Sequence, residues 1–109
     1  MIYQQGDIVE VSFDPTVGHE PAKTRSALVI SADDFNIRSS LTVVAPITSI
    51  VNGYPFHVEL SKNNEVHGCV CVEQLRSLDL QKRLTRHLGI IDPDDMTLVL
   101  ERVRAIYGI

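Results

Sequence analysis

The stretch Gly6–Ser31 reads GDIVEVSFDPTVGHEPAKTRSALVIS, and its pattern decides the fold. Two strand-like runs, Ile8–Phe13 and Ala27–Ile30, flank a polar loop carrying Pro15, Gly18, His19, Glu20, Pro21, Lys23 and Arg25. Val9, Val11 and Phe13 alternate with Glu10 and Ser12, the period-2 signature of a half-buried strand. The second run is denser and aliphatic, as expected of a central strand. Packing gives no reason to set a carboxylate and a guanidinium near the root of a long loop. Such loops between apolar strands tend to carry function.

Working outward, Leu41–Ala45 is a third apolar run, and the segment APITS that follows brings in Thr48. Between them, ADDFNIRSS (residues 32–40) is expected to make one short helical turn with Phe35 and Ile37 turned inward. Asn52-Gly53 marks a turn, after which Phe56, Val58 and Leu60 alternate with His57 and Glu59. Lys62–Glu65 reads as a polar turn, Gly68–Val72 as a strand, residues 79–84 as a short helix and Leu88–Ile91 as a last strand. The end is a helix. Asp92 suits its N-cap and Pro93 its first position, and Asp94 and Asp95 favour its positive end. Met96, Val99, Leu100, Val103, Ile106 and Tyr107 form one apolar stripe, and Arg102 and Arg104 complement the dipole near the last turn. The fold class is therefore mainly β with helices, a small barrel closed by a C-terminal α-helix.

The 109 residues suffice for one core and one domain spanning 1–109. No apolar run approaches the roughly 20 residues needed to cross a bilayer. The N-terminal MIYQQGD lacks the features of a signal peptide, so a cytoplasmic protein with no membrane contact is expected. The net charge of −4 argues against a strong nonspecific nucleic-acid binder. A local basic run (Arg76, Lys82, Arg83, Arg86, against Asp79) reads either as a solvated face or as a focused groove on an acidic body. Cys69 and Cys71 share one strand face and are expected to be buried, reduced thiols among apolar neighbours. The four histidines show no metal-ligand spacing among themselves or with the cysteines, so no metal and no cofactor is expected.

The loop motif, Thr48, NGYPFHVEL (residues 52–60), VEQLRSLD (residues 72–79) and the terminal helix occur in an order that resembles the MazF/PemK family of toxin endoribonucleases. The resemblance covers nearly the whole chain and implies that the barrel is SH3-like. It places the family's catalytic arginine at Arg25 and its catalytic threonine at Thr48. Glu20 matches the acidic residue that serves as base in some members. Metal-free RNA cleavage needs a base for the 2′-hydroxyl, positive charge on the phosphoryl oxygens and a proton for the leaving oxygen. A guanidinium clamps phosphate well and gives up protons poorly, so Arg25 suits charge stabilisation and Thr48 suits fixing a non-bridging oxygen. Glu20 serves either as base or as a positioning contact. The RNA-contacting shell falls on His19, Lys23, Phe13, Glu73, Gln74 and Arg76, with core packing the alternative for Phe13.

Three departures from the family pattern stand out. Ser26 follows Arg25 where proline is common, His19 replaces a small hydroxyl residue, and Ser49 stands where a second threonine is frequent. The resemblance implies a homodimer with single-stranded RNA along its interface, and an antitoxin with an acidic, disordered tail. The alternative is a non-enzymatic gyrase poison of the same fold. Known members of that class end in Trp-Gly-Ile, and this chain ends Tyr107-Gly108-Ile109.

Overall fold

A computed structural model describes residues 2–13, 24–83 and 85–109. Strand β1 (Asp7–Ser12) pairs antiparallel with β2 (Thr24–Val29), the hairpin that the opening stretch requires. A short helix α1 (Asp33–Arg38) leads into β3 (Thr42–Thr48), then β4 (His57–Glu59) and β5 (Cys69–Cys71). A 3-10 turn (Val72–Gln74), β6 (Arg76–Leu78), β7 (Thr85–Ile90) and helix α2 (Pro93–Tyr107) complete the described elements. The strands run in the order β4-β5-β3-β2-β1-β7, with β6 also paired to β3. Strand β3 is the hub. Its first half pairs β2 and β6, and its end pairs β5. The sheet curls into a barrel-like body that α2 closes.

Side-chain alternation divides the interior into two clusters. One holds Ile8, Leu28, Ala45, Ile47, Val58, Val70 and Val72, and the Val99 face of α2 packs on it. The other holds Val9, Val11, Phe13, Ala27, Val29, Val44, Leu78 and Leu80 on the opposite sheet face. Neighbouring residues of one strand thus serve different cores.

Several expectations need correction. In α1 the buried residue is Asn36, while Phe35 and Ile37 are exposed. Asn36 turns inward because its amide nitrogen donates to the carbonyls of Tyr3 and Ser31, each at 3.0 Å. Its side-chain oxygen also accepts from the Ser31 hydroxyl. Residues 79–83 form a turn in place of a helix. The Asp79 carboxylate accepts from the backbone N–H of Gln81 and Lys82 and competes with helical pairing. Leu84 lies outside the described residues.

Helix α2 begins as expected, with the Asp92 side chain accepting from the backbone N–H of Asp94 and Asp95. Gly108 ends it in the left-handed conformation, with φ of 70°. Its apolar stripe is buried only in part, since Val99 is enclosed but Tyr107 is 61% exposed. Asp95 also departs from the expected role. It turns inward and accepts from the Ser61 backbone (3.0 Å), the Ser61 hydroxyl (2.8 Å) and the Asn64 amide (2.7 Å). Burial alone would raise its pKa, but those hydrogen bonds together hold it below the ordinary carboxylate value.

Candidate functional site

Arg25 lies near the start of β2, opposite Val11 of β1. Strands β2 and β3 pair through Ala27↔Pro46, Leu28↔Ala45 and Val29↔Val44. Continued by two residues, that register sets Arg25 across from Thr48, the last residue of β3. Both positions share the parity of Ala27, Val29 and Val44, so both belong to the face of the second core. There the apolar cluster ends and polar chemistry begins.

Phe13 closes that end of the core and is 4% exposed. The Arg25 guanidinium carbon sits 5.8 Å from its ring centroid, and that of Arg76 sits 5.2 Å away. Two cations thus share one aromatic platform, within the range of a cation–π contact. Phe13 is therefore a core residue, the alternative open from sequence, and its ring carries the two guanidiniums. Arg83 holds this residue from behind, donating to the carbonyls of Ser12 (2.9 Å) and Phe13 (3.0 Å). Sequence reasoning missed Arg83, because the basic run carried no hint of which guanidinium turns inward. The run does not act as one face. Arg76 joins Phe13, Arg83 clamps the backbone, and Arg86 meets Glu10 at 3.5 Å on the surface.

Thr48 is half-buried, and its hydroxyl oxygen accepts from the Ile50 N–H at 3.2 Å. Its own O–H is left able to point at a ligand. Gly68 makes this geometry possible: a Cβ there would lie 2.2 Å from the Thr48 carbonyl oxygen, and its φ is 125°. Only glycine lets β5 approach the end of β3 so closely.

Cys69 and Cys71 are buried and free, as expected. They do not line the first core, however, because Val70 and Val72 occupy that face. Cys71 instead faces the site. Burial and the Glu73 carboxylate push its thiol up, and Arg25 with the Thr48 backbone offsets them only in part. Burial and Glu59 raise Cys69 likewise.

Glu73 and Gln74 lie in a 3-10 turn that begins at Val72, the residue expected to end the strand. Gln74 is exposed and donates to Glu73 at 3.2 Å. The same Glu73 oxygen lies 2.9 Å from His57 Nε2. Spacing along the chain concealed this cluster: β4 and β5 pair with His57 directly opposite Cys71, and Glu73 follows two residues later. Arg25, Thr48, Phe13 and Arg76 therefore come together, with Cys71, Glu73 and His57 alongside. Glu20, His19 and Lys23 lie outside the described residues.

Known structures share this architecture over the whole chain. MazF from Deinococcus radiodurans superposes with a TM-score of 0.85 at 32% identity, covering 100% of this chain and 99% of that one. A MazE–MazF structure from the same organism gives 0.88, again at 32% identity, with 100% and 98% covered. The class is thus the SH3-like barrel with a C-terminal helix found in MazF-like toxins. A family described as PemK-like, MazF-like toxin of type II toxin–antitoxin systems matches residues 4–107. The chain belongs to that family. Among curated relatives, the endoribonuclease toxin ChpB of Escherichia coli K12 is 38% identical, with 95% of this chain and 93% of that protein covered. Endoribonuclease EndoA of Bacillus subtilis is 33% identical, with 95% and 93% covered.

Proposed function

We propose that this toxin is a metal-independent, sequence-selective endoribonuclease acting on single-stranded messenger RNA in the cytoplasm. The observation that carries the reading is the convergence of Arg25 and Thr48 beside Phe13 and Arg76 at the open end of the second core. In this mechanism the ribose 2′-oxygen bonds to the adjacent phosphorus as the bond to the 5′-oxygen breaks. The 2′-proton passes to a base, for which Glu20 is the candidate, and the departing 5′-oxygen takes up a proton. The products are a 2′,3′-cyclic phosphate and a 5′-hydroxyl. Arg25 offsets charge developing on the phosphoryl oxygens. The Thr48 O–H, oriented by the Ile50 N–H at its oxygen, donates to one of them. Arg76, held on the buried Phe13 ring, offers a guanidinium to unpaired bases, and Gln74 offers an exposed amide. His19 and Lys23 are proposed as further RNA contacts.

The relative solved as a MazE–MazF structure supports a cognate antitoxin for this chain. Its acidic, largely disordered tail would occupy the RNA groove and fold on binding. A homodimer supplies the length of groove that one barrel lacks.

The test is to incubate the purified protein with mixed RNA in EDTA and map the cut ends. Cyclic phosphate and 5′-hydroxyl ends are expected, and a 2′-deoxy nucleotide 5′ of the cut should abolish cleavage while binding persists. Equal cutting of that substrate would overturn the mechanism. One competitor is the non-enzymatic gyrase poison of the same fold. That reading requires toxicity that survives Arg25→Ala and disappears when the last three residues are removed.

A further inference from the structure

Beside Arg25 and Thr48 lies a cluster in which His57 and Cys71 have no part in the proposed cleavage and Glu73 is only a candidate RNA contact. His57 and Cys71 are direct cross-strand partners on β4 and β5, so their side chains leave the sheet on one face. Glu73 reaches the same spot from the 3-10 turn. One nitrogen, one sulfur and one carboxylate oxygen of these residues lie within 4.8 Å of one another. Cys71 is 2% exposed, and the His57 and Glu73 side chains are 13% and 24% exposed. Among the described residues, His57 Nδ1 and Glu73 Oε2 are shielded from solvent yet have no hydrogen-bond partner. Buried polar atoms are nearly always paired, so these orphans leave both side chains with unused donor capacity, although His57 Nε2 and Glu73 Oε1 meet each other at 2.9 Å.

We propose that His57, Cys71 and Glu73 form a zinc site that switches the toxin off. The donor set points to this ion. Imidazole, thiolate and carboxylate together suit zinc, at distances of about 2.0–2.3 Å. Magnesium and calcium call for oxygen alone. Small side-chain rotations bring three donors around one ion, leaving a fourth position for water or an RNA phosphate. On binding, the Cys71 sulfur bonds to the metal and its thiol proton leaves to solvent. Glu73 then coordinates metal and is withdrawn from base contacts, and a dication stands next to Arg25, whose charge already reaches Cys71. The inhibition rests on the function proposed above. The metal site does not.

Cobalt titration of the metal-free, full-length protein tests the site without any cleavage assay. One equivalent should produce a thiolate-to-cobalt charge-transfer band that zinc then bleaches by displacement. Cys71→Ser and His57→Gln should lose the band while circular dichroism stays that of the parent. Cys69→Ser should keep it. The two losses should exceed the roughly 10–100-fold weakening typical of removing an outer-shell partner. Zinc should then inhibit RNA cleavage by the parent and leave Cys71→Ser insensitive. A missing band, or one that persists in Cys71→Ser, overturns the site. A normal band with unchanged cleavage at saturating zinc overturns the switch alone. Should the protein cut no RNA under any condition, the cobalt spectrum still decides the site.

Discussion

Arg25 stands at the end of the second core, against Phe13, and its neighbours explain what each substitution should do. Phe13 and the β2 backbone fix the approach of its guanidinium, so the positive charge is in place before RNA arrives. By analogy with the loss of one oxyanion donor, Arg25→Ala should slow cleavage by about 10²–10³. Arg25→Lys should recover little, because a point charge does not reproduce a planar fork. Thr48→Val keeps the shape and should cost less. Phe13→Leu fills much of the same buried space but removes the aromatic face, so the barrel should fold while cleavage falls several-fold. Single-turnover rates with matched circular dichroism measure all four. An Arg25→Ala protein that folds and cuts at the parent rate would remove Arg25 from the site. Arg25 and Thr48 were legible as a pair only through motif order, since either alone reads as a surface charge or a strand end. Arg83 and His57 were not legible, because their roles depend on which strand lies opposite them.

At the scale of elements, the close approach of β5 to β3 shapes the site. Gly68→Ala would push a Cβ into the Thr48 carbonyl at a positive φ. Left-handed strain of about 1–2 kcal/mol adds to an overpacking cost of about 1–3 kcal/mol. Urea melts should therefore show lower stability, and cleavage should fall even where the protein remains folded, because Thr48 moves. Helix α2 offers a separate test through Asp95, which ties its first turn to Ser61 and Asn64. Its carboxyl pKa is lowered in the fold, so the carboxylate stabilises the protein fully above the unfolded value near 3.8. That contribution disappears as the pH falls through the lower, folded value. Asp95→Asn should melt earlier than the parent near neutral pH, and the gap should narrow in acid. A gap independent of pH would show that the charge of Asp95 contributes nothing. The helix itself was legible from Asp92-Pro93 and its apolar spacing. The inward turn of Asp95 was not, since its partners lie about thirty residues upstream. Strand β6 escaped detection because three residues with one buried side chain show no period.

The whole molecule is one curled sheet with a core on each face, and the candidate site lies where the second core opens at the ends of β1, β2 and β3. A body of net charge −4 is compatible with RNA binding there, because Arg25 and Arg76 gather two positive charges over one ring. One such opening spans too little surface for several nucleotides, which is why the proposed active species is a dimer. Beside Thr48, the segment after β3 exposes Ile50 (65%), Val51 (55%) and Tyr54 (46%). A second copy seated on this apolar segment would extend the groove directly from the cleavage residues. A stable interface of this kind covers about 800 Å² per partner, and a charge at its centre is costly when left unpaired. Val51→Asp should therefore shift the protein towards monomer in sedimentation and lower cleavage at the same total concentration. Ile37→Asp, also exposed (65%) but on α1 at the far ends of β2 and β3 from Arg25 and Thr48, should do neither. Raising the concentration of Val51→Asp should restore activity along with the dimer, which separates lost assembly from a damaged site. A Val51→Asp protein that is monomeric and fully active would refute the shared groove.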